Sequence, residues 1–368
     1  MAYSKLKLAA AFLMISSAAF AQQPPQHKIV QVYAHRGGRF YSPENTMPAY
    51  QSTLRLGADF VDMDVVLTKD GKVLISHDPV FNPDIIRDEN GNFLAPNKET
   101  LKAMPEADRA AYNQKYAALH MTYAETQKLD AGRLNRTSAY SKFFPDQIAV
   151  DGTRMPLLED VVKYVNKATH NEVGFQIEMK TDPSHPEYSA DPKLFAKALY
   201  AILKNDKILD RAEIQAFDFR CLDELQKLNP KVKTAYLTSR DNEPGGEDDF
   251  FSSTAAVAGN WTGGKLVKDY GNSIPRMVKA LGGYAWEPED AELTKENLDL
   301  AHQLGLKVVV WTWPEKLGAT FDPVMVDRLI SWGIDGIITD DPARLSEMLT
   351  ARGYSLHKRY YTRPLSEK

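Results

Sequence analysis

In Val61-Asp62-Met63-Asp64-Val65, carboxylates alternate with apolar residues. Alternate side chains of a strand leave opposite faces, so Asp62 and Asp64 share one face and Val61, Met63 and Val65 the other. Phe175-Gln176-Ile177-Glu178-Met179-Lys180 divides in the same way, with Gln176, Glu178 and Lys180 together. Burying three carboxylates side by side is costly without a proton or cation to compensate. Asp62, Asp64 and Glu178 offer only oxygen, a donor set that suits a hard divalent ion, Ca²⁺ or Mg²⁺, completed by water and substrate oxygens. Two further runs end in histidine: Ala34-His35-Arg36-Gly37-Gly38 and Ile75-Ser76-His77-Asp78. Two histidines beside such an ion, with the cations Arg36 and Lys180, suit acid–base chemistry on an anionic substrate.

Each residue also has a plainer reading. Asp62 and Asp64 can be solvated strand-end charges, Glu178 and Lys180 can simply pair, and either histidine alone can be structural. Trp311 and Trp313 share a strand face; Trp311 reads as core and Trp313 as a substrate-contact candidate. His27, His120, His170, His185, His302 and His357 fall in helices, loops or tails and receive no role. The coincidence of faces and strand ends carries the functional reading.

Such groups need a scaffold that brings distant strand ends together. Strand-like runs fall at 29–34, 60–67, 72–76, 173–179, 213–217, 232–237, 283–286, 307–311 and 336–339. Helical periodicity occupies 46–56, 157–167, 193–204, 222–228, 274–281, 295–304 and 323–332. About eight such alternations predict a (β/α)₈ barrel, whose active site lies at the C-terminal ends of its strands. An open doubly wound sheet is the alternative. Residues 81–155 break the rhythm with a polar stretch, including helix-like pieces at 98–120 and 122–129. This stretch reads as an insertion in a barrel spanning about 28–352. A second irregular stretch covers 240–264, and 353–368 reads as a tail.

Composition bounds the rest. The 368 residues are 43% hydrophobic and 26% charged, with a formal charge of −4, which leaves no electrostatic footprint for nucleic acid. Cys221 is the single cysteine, so an internal disulfide or thiolate metal site is excluded. Residues 1–21 begin with Lys5 and Lys7, continue through an apolar centre at 8–15, and end in Ala19-Phe20-Ala21. That is the pattern of a cleaved signal peptide, too short to span a bilayer. Its removal, with two lysines and no acid, takes the charge to −6. An exported, disulfide-free chain fits a bacterial periplasm.

The residues now resemble a family. His35-Arg36-Gly37-Gly38, Pro43-Glu44-Asn45-Thr46, Gly57-Ala58-Asp59 leading to Asp62 and Asp64, Thr68-Lys69-Asp70-Gly71 and His77-Asp78-Pro79 are similar, in order and spacing, to glycerophosphodiester phosphodiesterases. Leu129-Asp130-Ala131-Gly132, Met155-Pro156-Leu157-Leu158-Glu159-Asp160, Ile177-Glu178-Met179-Lys180 and the run 333–340 ending in Asp340 continue the match. The resemblance implies metal-dependent hydrolysis of glycerophosphodiesters to glycerol 3-phosphate and an alcohol. It makes His35 and His77 the acid–base pair, and Asp62, Asp64 and Glu178 the metal ligands. Arg36 and Lys180 would lie beside the phosphate, and Glu44 would orient Arg36 or support the ligands. Two departures stand out: Asp62 occupies a position that is usually Glu, and Gln215-Ala216-Phe217 replaces Ser-x-Phe. Two other functions remain open. A phospholipase D-like barrel acting on lysophospholipid or sphingomyelin would need an apolar mouth, whereas the segment after His77 is polar. An exported phosphate-ester-binding protein would need no turnover, a role that does not call for two histidines and three carboxylates. The expected partner is a small-molecule diester, with neither nucleic acid nor stable membrane insertion.

Overall fold

The computed structural model describes residues 30–239, 261–312, 321–354 and 359–360. The expected leader, Trp313, most of the 240–264 stretch and most of the tail lie outside the described residues. In chain order the elements are β1 (Gln31–Ala34), α1 (Met47–Leu56), β2 (Phe60–Leu67) and β3 (Val73–Ile75), then short helices α2 (Lys98–Ala103), α3 (Glu106–Tyr116) and α4 (Tyr123–Thr126). Strand–helix alternation then resumes with α5 (Leu158–Thr169), β4 (Gly174–Met179), α6 (Pro192–Asn205), β5 (Ala212–Ala216), α7 (Phe219–Leu228), β6 (Lys233–Thr238) and α8 (Ile274–Ala280). It ends with β7 (Ala285–Pro288), α9 (Lys295–Gln303), β8 (Lys307–Val310), α10 (Pro323–Trp332), β9 (Gly336–Thr339) and α11 (Pro342–Ala351).

Eight parallel strands close a barrel in the order β1, β2, β4, β5, β6, β7, β8, β9, with β9 pairing back onto β1. Val61, Met63, Val65, Phe175, Ile177 and Met179 turn outward into the main core with Tyr50, Leu54, Val161 and Val162 of the surrounding helices. Inside, Tyr33, Leu237, Val309, Trp311 and Ile338 make a small apolar cluster. The alternating pattern of β2 and β4 therefore leaves their carboxylates in the barrel lumen.

The 72–76 run is not one more barrel strand. β2 outgrows the barrel, and its last stretch of chain, Val65–Leu67, pairs antiparallel with β3. Asp70-Gly71 makes the tight turn, with Gly71 at φ 74° and its N–H donating to Thr68 O at 2.9 Å. The hairpin returns the chain to its starting level, where Ser76 N–H donates to Asp64 O at 3.0 Å. His77 thus arrives at the barrel mouth by a fold-back.

The 81–155 segment sits on this hairpin: Phe81, Ile86, Leu129, Phe144 and Met155 pack against Val66 and Leu74. The helix expected over 98–120 is broken, because Pro105 lacks an N–H and forces Met104 into an extended conformation (ψ 156°). The piece expected over 122–129 shortens to α4, begun by a Thr122–Glu125 capping box. α7 starts earlier than its apolar period suggests, because Asp218 caps it by accepting from Arg220 N–H. α11 has no counterpart among the expected helices, although Asp341 as cap and Pro342 at its first position signal it.

Candidate active site

Every sequence-derived candidate among the described residues gathers at the C-terminal mouth. The loop after β1 is built for this. Arg36, Gly37 and Gly38 all have positive φ, at 49°, 79° and 75°. A Cβ on Gly37 would lie 2.8 Å from Ala49 Cβ, so glycine is required there. The coil aims Arg36 N–H at Asp62 Oδ2, 3.2 Å away, and brings the Arg36 side chain over the carboxylates.

Pro43-Glu44-Asn45-Thr46 locks that coil to β2. Glu44 Oε1 accepts from Arg36 Nη1 at 2.7 Å. Asn45, also left-handed at φ 56°, donates through Nδ2 to Asp64 Oδ2 at 2.7 Å and accepts Asp64 N–H at 3.3 Å. Thr46 caps α1 by accepting from Ala49 N–H. Four consecutive residues thus hold a cation, a carboxylate and a helix start in one arrangement.

The two histidines are mounted alike. His35 Nδ1 faces Asp340 Oδ1 at 2.7 Å, and His77 Nδ1 faces Asp78 Oδ1 at 3.2 Å. A carboxylate at Nδ1 holds the proton there and leaves Nε2 as the acceptor. Each Nε2 meets a cation: Arg36 Nε lies 3.4 Å from that of His35, and Lys180 Nζ 3.2 Å from that of His77. Burial first, then Arg36 and Lys180, pushes His77 down to about 4. His35 is lowered too, chiefly by burial and Arg39. Both imidazoles are therefore neutral at pH 7, poised to accept a proton through Nε2.

Asp64 and Glu178 are register neighbours on β2 and β4, and Glu178 in turn neighbours Gln215 on β5. Asp62 Oδ1 accepts from Gln215 Nε2 at 2.8 Å. Lys180 Nζ sits 2.7 Å from Glu178 Oε1, and Arg36 Nε 3.5 Å from Asp64 Oδ2. Burial, with Asp64 adding to it, raises the Asp62 carboxyl well above its usual range. Glu178 is pushed up to about 7, by burial against the pull of Lys180 and with help from Asp64. Asp64 goes the other way, since His77, Arg36 and Lys180 outweigh its burial.

Among the described residues, no three His, Cys, Asp or Glu side chains stand as a ready cation cage; Lys180 and Arg36 are the cations beside Glu178 and Asp64. The donor set still fits a hard ion. Burial raises Asp62 and Glu178 above the ordinary carboxyl range, and the buried Gln215 Oε1 has no hydrogen-bond partner among the described residues.

Four supporting residues have no assigned role in the sequence reading. Asp340 and Asp78 orient the histidines, and both stand beside strand-end motifs where the strand-end rule could have found them. Arg39 donates to Asp340 at 2.6 Å and, through Nη1, to the hydroxyl of Tyr140 at 2.6 Å. Tyr140 also hydrogen-bonds Glu44 Oε2. The inserted segment therefore reaches into the site, and no local signal around Tyr140 announces it.

A closed eight-stranded barrel with two carboxylate-mounted histidines and buried acids at its C-terminal mouth defines a hydrolase-type (β/α)₈ site. Residues 35–344 match the glycerophosphoryl diester phosphodiesterase family, and the chain belongs to it, a family of phosphoric diester hydrolases. A glycerophosphodiester phosphodiesterase of Caldanaerobacter subterraneus is 24% identical over 322 residues, covering 88% of this chain and 98% of the relative. A crystal structure from Silicibacter pomeroyi DSS-3 superposes with a TM-score of 0.72 at 27% identity, covering 89% of this chain and 96% of that one. An Oleispira antarctica phosphodiesterase, solved with the product sn-glycerol-3-phosphate, shares the fold at 17% identity and a TM-score of 0.58, over 88% and 97% of the two chains.

Proposed function

We propose that this protein hydrolyses water-soluble glycerophosphodiesters to glycerol 3-phosphate and an alcohol, with His35 and His77 as the acid–base pair. The observation that carries the reading is the matched pair of imidazoles, each with Nδ1 on a carboxylate and Nε2 turned to the mouth. Arg36 and Lys180 lie beside the two Nε2 atoms, so they would neutralise the charge on the phosphoryl oxygens of a diester bound there. One histidine takes a proton from the attacking oxygen through Nε2. That histidine becomes an imidazolium, stabilised by its Nδ1 carboxylate. The other, whose protonated form the bound diester's negative charge favours, gives its Nε2 proton to the departing alcohol, and the two exchange protons with water before the next turnover.

Asp62, Asp64 and Glu178 are the residues that would hold a divalent ion, Ca²⁺ or Mg²⁺. When bound, it would supply Lewis-acid polarisation of a phosphoryl oxygen. Glu44 holds Arg36 at its working position. The leader-like residues 1–21 support export to the periplasm.

A metal-replete assay on glycerophosphocholine and lysophosphatidylcholine tests the reading. Release of glycerol 3-phosphate from the first, abolished by chelator, is expected. Exclusive turnover of the second would replace it with a phospholipase D-like function.

A further inference from the structure

Gln215 is an amide in a place where charge and metal chemistry leave little room for one. It sits on the lumen face of β5, is 3% exposed, and lies beside Glu178 in the β4–β5 register. Its Nε2 donates to Asp62 Oδ1 at 2.8 Å. In that bond the NH₂ of the amide is the donor, which leaves its carbonyl free for another partner. The carbonyl oxygen, Oε1, then has no hydrogen-bond partner among the described residues. A buried amide carbonyl left unpaired costs free energy, and such atoms are normally satisfied by water or an ion.

The surroundings favour the ion. Gln215 is tied to Asp62, its register neighbour is Glu178, and that residue's own neighbour is Asp64. Two of the three proposed ligands, Asp62 and Glu178, therefore adjoin this amide, and Asp64 stands one strand further, beside Glu178. Asp62 is also a short side chain, held back by Gln215 on one oxygen and by Arg36 N–H, at 3.2 Å, on the other. Both Asp62 oxygens already accept a hydrogen bond, so a further neutral donor nearby would help to complete the ion's shell. Ca²⁺ takes six to eight oxygens and readily includes amide carbonyls, whereas Mg²⁺ demands a tight octahedron and keeps its waters.

We propose that Gln215 Oε1 is a fourth protein ligand of the cation site, a neutral donor that positions Asp62 through its NH₂ and biases the site toward Ca²⁺ over Mg²⁺. The inference rests on the metal site proposed above and adds a residue and an ion preference to it.

The test is cation binding, measured by calorimetry on chelator-stripped protein with Ca²⁺ and with Mg²⁺ separately. Gln215→Met keeps the volume and removes the oxygen. It is expected to weaken Ca²⁺ at least tenfold and Mg²⁺ less than threefold. Gln215→Glu keeps an oxygen and adds charge but gives up the NH₂ on Asp62, and is expected to hold Ca²⁺ within about threefold of the parent. Gln51→Met controls for loss of a buried glutamine: Gln51 sits on α1, outside the barrel lumen, so Ca²⁺ affinity should stay within threefold.

Should Gln215→Met fail to fold, Gln215→Glu decides: a tenfold loss of Ca²⁺ affinity would overturn the proposal. A folded Gln215→Met with unchanged Ca²⁺ affinity would overturn it too, and Asp62→Asn losing Ca²⁺ in the same series would leave the three-carboxylate site standing. A parent protein that binds neither ion would overturn both.

Discussion

Replacing Tyr140 by phenylalanine isolates one hydroxyl that joins the inserted segment to the catalytic mouth. That hydroxyl bonds Glu44, which holds Arg36, and accepts from Arg39, which holds the Asp340 behind His35. The ring stays: Arg39 lies 5.6 Å from the Tyr140 centroid and 4.8 Å from that of Phe144, contacts that the substituted phenyl ring preserves. Hydrogen bonds to charged groups contribute about 1.5–3 kcal/mol each, and a buried partner left unpaired loses a comparable amount. Arg36 keeps its 2.7 Å bond to Glu44, and Arg39 keeps Asp340, so the low end of that range applies. At about 1.4 kcal/mol per tenfold, Tyr140→Phe should lower kcat/KM roughly tenfold. Steady-state kinetics on glycerophosphocholine, with circular dichroism to confirm the fold, reads this out. A kcat/KM within twofold of the parent would show that the insertion does not brace the site.

The other expectations are compact. Asp62→Asn should weaken divalent-ion binding at least tenfold by calorimetry, whereas Asp62→Glu retains it; equal affinities in all three would remove Asp62 from the ligand set. His77 should titrate far below an ordinary histidine, near 4, because burial, Arg36 and Lys180 all disfavour its charged form. Between about pH 6.5 and pH 4 the unfolded chain therefore takes up this proton before the folded one does, so stability is lost as pH falls through that window. Imidazole resonances followed by NMR check the value, and a midpoint at an ordinary histidine's pKa would contradict it. Mass spectrometry of the exported protein should show Gln22 as its first residue; an intact Met1 would refute the leader reading.

The strand faces and the barrel class are legible in the sequence because a two-residue period survives burial. Alternation puts Asp62 and Asp64 on one face and Glu178 on the matching face of its own strand, the expected barrel brings the three together, and the outward packing of Val61 and Met63 follows from the same rule. His77 is located by alternation for a partly mistaken reason. Its run reads as the end of a barrel strand, whereas a hairpin carries it back to Asp64, a long-range pairing that periodicity does not encode. Pro105 is a visible break within an apparent helix. Tyr140 is the least legible: it lies 96 positions from Glu44, and only the packing of the insertion on Val66 and Leu74 brings the two together.

The most direct test of the central claim is kcat on glycerophosphocholine for His35→Ala, His77→Ala and His120→Ala, each with its fold verified. His120 lies on the inserted segment, its Nδ1 bonded to a backbone carbonyl at 3.0 Å, remote in role from the mouth. The two mouth histidines should each cost at least about 10²-fold and His120 little. A His77→Ala enzyme of full activity beside an inactive His120→Ala would contradict the assignment.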